Sequence, residues 1–179
     1  MTTQRLRGPA EVRALVGELC DGIHRALAGA PDAALVGVRR GGIALAGRVA
    51  ADLQARGMRI DRGAVDIALY RDDAHLALPR PESGPTEIEF PLDGRQVVIL
   101  DDVFWTGRTA RAAMDAVLDF GRPQRLWLAV LAQSPHRELP IVPDVAPLVV
   151  EAARGERLEL RLVEDGHPDD ELVLVRSLR

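Results

Sequence analysis

The chain has 179 residues, 47% of them hydrophobic, which is enough for one well-buried core and short for two, so a single domain over 1–179 is expected. Its formal net charge of −4 supplies no basic surplus for general polyanion binding, although all 23 basic residues are arginine, a bias that fits planar phosphate recognition and codon usage equally well. No stretch approaches the roughly 18 uninterrupted apolar residues of a membrane span, and the expected location is the cytoplasm.

Pro9 near a start, followed by Val12, Leu15, Val16, Leu19, Ile23 and Leu27 at steps of three and four, predicts an amphipathic helix ending before Gly29. Cys20, the single cysteine, falls within that pattern and reads as inert packing. Ala33–Val38 reads as a buried strand, Arg39–Gly42 as a turn, Ile43–Ala55 as a helix stopped by Gly57, and Gly63–Leu69 as the next strand. Charges at Arg71, Asp72 and Asp73 and prolines at 79, 81 and 85 break the pattern from Tyr70 to Glu89, predicting a long, lid-like connection. Gln96–Leu100 reads as a strand, Thr109–Phe120 as a helix and Leu126–Leu131 as a strand. Alternation at Leu158, Leu160 and Leu162 and at Leu172 and Leu174 predicts a C-terminal hairpin over about 157–176, with Glu164, Asp165, Asp169, Asp170 and Glu171 as a solvated tip.

Strands apolar throughout and alternating with helices imply an α/β fold with a parallel sheet flanked by helices. Ligands in such sheets bind beyond the carboxyl ends of the strands, at the switch in strand order. That rule selects the loops at 39–42, 70–73, 101–109 and 132–137.

The strongest local signal is Val97 through Leu100 running into Asp101-Asp102-Val103-Phe104-Trp105-Thr106-Gly107-Arg108-Thr109. From Thr106 to Thr109 the backbone amides can curl around a phosphate, aided by hydroxyls and by the positive end of a starting helix, with Gly107 permitting close approach. Asp101 and Asp102 are anionic and cannot hold phosphate, but they can accept hydrogen bonds from ribose hydroxyls or support Mg²⁺ through water. A capped helix after a strand, with two solvated aspartates, would explain either half alone but not the combination. His24, His75 and His167 lie in unrelated segments without metal-ligand spacing.

This string resembles the phosphoribosyl-pyrophosphate motif of the type I phosphoribosyltransferases. Asp66–Asp73, Gly121-Arg122-Pro123, Leu128–Leu131 and His136-Arg137-Glu138-Leu139-Pro140-Ile141 extend the resemblance to the bifunctional pyrimidine operon attenuator and uracil phosphoribosyltransferase family, over roughly 35–141. The resemblance implies a type I phosphoribosyltransferase fold with a small hood and C-terminal β-hairpin, assembled as a homo-oligomer. It further implies Mg²⁺-assisted joining of a nucleobase, uracil in the family, to phosphoribosyl pyrophosphate. On these positions Val103, Phe104, Trp105, Thr106, Gly107, Arg108 and Thr109 bind substrate, with the 5′-phosphate at Thr106, Gly107, Arg108 and Thr109. Ribose and hydrated Mg²⁺ go to Asp101 and Asp102, and pyrophosphate to Arg40, Gly41 and Gly42. Arg71 reaches the leaving group, and His136 and Arg137 contact substrate.

Three departures stand out. The pyrophosphate loop reads Arg40-Gly41-Gly42 where the family has Thr-Arg-Gly. Gln133-Ser134-Pro135 stands where the family has Asp-Arg-Gly, and Val142–Leu148 replaces a basic run. Of the family's RNA-binding side chains only the first arginine, Arg137, is kept, so RNA binding is not expected. Two functions remain open: a phosphoribosyltransferase, and a nucleotide sensor that keeps the cradle but has lost useful catalysis.

Overall fold

The structure, a computed structural model, describes residues 2–30, 32–39, 41–72, 84–153 and 155–176. In chain order the elements are β1 (Thr2–Arg7), α1 (Pro9–Ala26), β2 (Ala33–Val38), α2 (Gly41–Ala55), β3 (Ile60–Val65), β4 (Gln96–Phe104), α3 (Arg108–Leu118), β5 (Arg125–Gln133), β6 (Leu148–Val149), β7 (Glu156–Arg161) and β8 (Glu171–Arg176).

Five strands form a parallel sheet in the order β3-β2-β4-β5-β6. Successive side chains of a strand point to opposite faces, and here both faces are covered. Ala33, Leu35, Val98, Leu100, Ala129 and Leu131 pack with α1 and α2. The intervening Ala34, Val36, Val97, Ile99, Leu128 and Val130 pack with Ala110, Ala113, Ala116 and Val117 of α3. Burial on two sides is why the strands read as continuous apolar runs. The order in which strands are added reverses between the parallel neighbours β2 and β4, so the loops leaving their carboxyl ends part to opposite sides and leave a crevice at that end of the sheet.

A second, antiparallel sheet, β1-β8-β7, is the hood. Leu158, Leu160, Leu172 and Leu174 join it to the α1–α2 side of the core. The expected hairpin is present, but its tip is not merely solvated. Arg48 of α2 donates to both Glu164 and Asp170, pinning the tip to the parallel-sheet layer. Glu171 belongs to the hood surface, where Arg5 and Arg161 pair with it.

Several boundaries differ from expectation. The strand expected at 63–69 is β3 at Ile60–Val65, and β4 runs four residues past Leu100 to Phe104. Residues 73–83 of the expected lid lie outside the described residues. The lid's two described ends are fastened. Tyr70 bonds Asp119 through its hydroxyl and accepts Arg111 Nη2 at its carbonyl (2.7 Å). At the other end Ala64 and Glu87 exchange backbone hydrogen bonds, and Arg39 donates to Glu87 at 2.8 Å. Cys20 is buried, and burial pushes its thiol up to about 11, the condition of an inert packing cysteine.

Candidate active site

β4 delivers Asp101 and Asp102 to the carboxyl end of the sheet. Asp101 is 9% exposed. Its Oδ1 accepts the Asp102 amide at 3.0 Å, and Asp102 Oδ1 accepts the Val103 amide at 2.8 Å. Burial, and then the charge of Asp102, hold the Asp101 carboxyl well above the ordinary aspartate value. Burial also raises Asp102. With Asp101 buried and Asp102 half-buried beside it, two adjacent carboxylates raised in this way gain from a nearby cation.

The start of α2 lies directly against this pair. A side chain at Gly41 would overlap the Asp102 carboxylate, and one at Gly42 would overlap the Leu100 carbonyl. Gly42 is therefore required by close approach to backbone, while at Gly41 a side chain would displace the Asp102 carboxylate, and the two glycines bring the positive end of α2 beside the aspartates. Arg40 lies outside the described residues.

After β4 the chain turns through Trp105, Thr106 and Gly107 into α3. Gly107 takes φ +91°, a left-handed conformation, and no N-cap side chain bonds the helix start; apart from the Arg108 amide, which donates to Thr106 Oγ1 at 3.4 Å, the first-turn amides are left for an anion. Phe104 is 5% exposed and its ring belongs to the core. Its contribution is scaffolding, since its carbonyl accepts the Ser134 amide at 2.8 Å. Val103 and Trp105 pack partly against the α1–α2 core.

A cavity of about 600 Å³ opens over the turn, lined by Arg71, Asp72, Trp105, Thr106, Arg108, Thr109 and Glu138. A chamber of about 30 Å³ beneath it is bordered by Asp101, Thr106, Gly107 and Thr109. Cradle and carboxylates thus share one site. Arg71 comes to within 3.5 Å of Thr109 Oγ1, on the cradle side, and its charge lowers Asp101 slightly against the larger raising effects. The Arg108 guanidinium is engaged by Asp72 and Glu138. His136 and Arg137 are exposed and do not line the cavity, whereas their neighbour Glu138 does.

Sequence reasoning missed Asp72 and Glu138 as walls of the cavity, Ser134 as the buried strut under Phe104, and Asp165, whose charge reaches Asp102 from the hood. The spacing of the β4 motif carries no information about any of them.

The carboxylate pair fits Mg²⁺. Hard oxygen donors are present on adjacent residues, one oxygen of each is taken by a backbone amide, and among the described residues no set of three or more metal-ligating side chains gathers around one point. A cation held here draws its remaining ligands from water and substrate.

Comparison with known proteins agrees with this geometry. The model of the phosphoribosyl transferase domain matches residues 4–149. The bifunctional protein PyrR of Roseiflexus sp. is 45% identical over 93% of this chain and 92% of its own. That of Thermus thermophilus is 41% identical over 93% of each. Among solved structures, the hypoxanthine phosphoribosyl transferase of Trypanosoma cruzi superposes with a TM-score of 0.67 at 16% identity, covering 84% of this chain and 79% of that one. The HGPRT-ase of Leishmania tarentolae gives 0.64 at 16% identity, over 84% and 82%; at such identities the likeness is one of fold. The chain belongs to the phosphoribosyl transferase domain family, with the type I fold, and is similar within it to the bifunctional PyrR proteins.

Proposed function

We propose that the protein transfers the phosphoribosyl group of phosphoribosyl pyrophosphate to a nucleobase, uracil first among the candidates. A ring nitrogen of the base forms the new bond to ribosyl C1′. The C1′–O bond breaks, pyrophosphate leaves with the electron pair, and the nitrogen's proton passes to solvent. The observation that carries this reading is the junction of the buried Asp101 and its half-buried neighbour Asp102 with the start of α3 behind Gly107, which has no side-chain cap.

Catalysis of this kind rests on positioning and electrostatics rather than on a protein nucleophile. The first-turn amides and the Thr106 and Thr109 hydroxyls hold the 5′-phosphate. Asp101 and Asp102 accept hydrogen bonds from the ribose hydroxyls, and pyrophosphate is assigned to Arg40, Gly41 and Gly42. Bound Mg²⁺ supplies positive charge against the departing pyrophosphate. Uracil is favoured by the resemblance at Asp66–Asp73 and His136–Ile141 and by the PyrR relatives.

The test is a screen of uracil, hypoxanthine, guanine and xanthine for pyrophosphate release with Mg²⁺. Turnover with uracil is expected, and Asp101→Asn with Asp102→Asn should reduce it by about 10²-fold or more while circular dichroism stays unchanged. A wild-type rate in that double variant would overturn the assignment.

A second reading, a nucleotide-sensing regulator of pyrimidine metabolism with weak catalysis, is favoured by the departures at Arg40–Gly42 and Gln133–Pro135 and by the bifunctional naming of the relatives. Tight uridine or guanosine monophosphate binding in a calorimeter, with no pyrophosphate released from any base, would decide for the sensor.

A further inference from the structure

Arg108 is the first residue of α3, and the sequence pattern makes it a ligand of the 5′-phosphate. Its side chain is occupied otherwise. Nε donates to Glu138 Oε2 at 2.7 Å and Nη1 to Asp72 Oδ2 at 2.5 Å, so one guanidinium joins two carboxylates from opposite walls of the 600 Å³ cavity. We propose that Arg108 is a positioning residue that ties Asp72 to Glu138 across the cavity mouth and so holds segment 66–72, which carries Arg71, against the phosphate cradle. This inference rests on the phosphoribosyltransferase reading and deepens it.

Three observations give the tether its direction. Arg108 is fixed because it belongs to a helix. Glu138 is fixed because its amide and that of Leu139 donate to the Thr106 carbonyl at 2.9 and 3.3 Å. Asp72 and Glu138 both stand in connecting segments, but Glu138 is fastened by those amide bonds, whereas Asp72 lies one residue beyond Arg71 in the connection after β3, so the end of the tether that can move is the 66–72 loop. The Tyr70 contacts with Asp119 and Arg111 anchor the same segment two residues earlier, and the Arg108 bond to Asp72 adds to the Arg71–Thr109 contact in setting the position of residues 71 and 72.

Charge argues the same way. A guanidinium between two carboxylates presents a net charge of about −1 to its surroundings and is a poor phosphate ligand while so engaged. The two roles therefore predict opposite results when the carboxylates are neutralised. If Arg108 serves as a phosphate ligand held in check, releasing it and removing two negative charges tightens anion binding. If it is a tether, releasing it loosens the loop and weakens binding.

The test uses the full chain with Asp72→Asn, Glu138→Gln and both together. Magnesium phosphoribosyl pyrophosphate is titrated calorimetrically, and amide exchange of segment 66–72 is followed without ligand. We expect the double variant to bind about tenfold more weakly, the scale of losing two partly exposed ion pairs that order one loop, and exchange across 66–72 to rise while that of α3 stays constant. Binding that is equal or tighter, or unchanged exchange at 66–72, overturns the tether. Should the wild type fail to bind phosphoribosyl pyrophosphate, the functional reading falls, and the ligand-free exchange still decides the tether. If the double variant does not fold, Asp72→Asn alone carries both measurements.

Discussion

Gly42 links a sequence motif to the site by steric necessity. The Arg-Gly-Gly string reads as a pyrophosphate loop because glycine exposes backbone amides, and that reasoning needs only local sequence. The structure adds a constraint no local pattern contains, because the space a Cβ would need at Gly42 is filled by the carbonyl of Leu100 and the Cα of Asp101, nearly sixty residues later. Gly42→Ala must therefore push α2 away from β4 at the point where the aspartates emerge. Overpacking of this kind costs about 1–3 kcal/mol, and urea denaturation of the variant should show a loss in that range together with weakened ligand binding. Wild-type stability would mean that the helix start yields more easily than its packing implies. Asp101, Asp102 and Gly107 were legible because strand, carboxylates and helix start follow one another within thirteen residues. The switch-point rule reached the loops at 70–73 and 132–137 that hold Asp72 and Ser134 without singling out either residue, and it missed Glu138 and Asp165, which come to the site from distant segments.

Among the elements, the strands of the parallel sheet announced themselves because both of their faces are buried, as the alternation between the two halves of the core shows for β2, β4 and β5. β1 gave no such signal. Its sequence, Thr-Thr-Gln-Arg-Leu-Arg, has no apolar alternation, four of its six residues are exposed, and it is a strand only because β8 offers an edge to pair with. The tip of the β7–β8 hairpin was misread for a related reason. Five acidic residues near a turn look solvated when the partner of two of them, Glu164 and Asp170, is Arg48, more than a hundred residues away on α2.

That partner holds the carboxyls of Glu164 and Asp170 below the ordinary carboxylate range through direct hydrogen bonds. For depressed acids the stabilisation is fully present above the unfolded-state values and is lost as pH falls through the folded ones. Arg48→Met should accordingly cost about 1–2 kcal/mol at pH 7, a figure held down because the Glu164 side chain is 44% exposed. The gap between wild type and variant should begin to close below about pH 4 and shrink further as pH falls through the depressed folded-state values. Thermal denaturation across pH 3–8 checks this, and a difference independent of pH would assign the loss to packing of the arginine stem instead.

At the scale of the whole molecule, the face formed by α1 and the segment after Ile141 bears on RNA. The family this chain resembles uses a threonine and a histidine of the first helix, two arginines around the Glu-Leu-Pro-Ile string and a lysine beyond. Here the helix positions fall at Val16 or Gly17 and at Cys20 or Asp21. Val16 packs partly against the core and Cys20 is 1% exposed, so neither presents a polar group to a ligand. Val142, at the second arginine's place, is an exposed apolar side chain, and Leu148, near the lysine's place, starts β6. Between α1 and residues 144–147 lies a cavity of about 430 Å³ whose charged lining is Glu18, Asp21, Arg25 and Asp144, three carboxylates to one guanidinium. Asp21 is moreover paired with Arg56 at 2.6 Å. Losing two cations removes roughly two phosphate contacts, and each contributes about one unit to the slope of log affinity against log salt. Acidic groups in the groove add repulsion where attraction is needed, and a chain of net charge −4 has no long-range field to offset it. Gel-shift titrations at low salt with a pyrimidine-operon leader hairpin should therefore give only the weak, sequence-indifferent binding typical of non-specific contacts, with dissociation constants of about 10⁻⁶ M or higher. Uridine monophosphate should not strengthen it. Nanomolar, sequence-selective binding enhanced by the nucleotide would mean that other arginines, Arg13 and Arg25 of α1 among them, build an RNA surface of a different design.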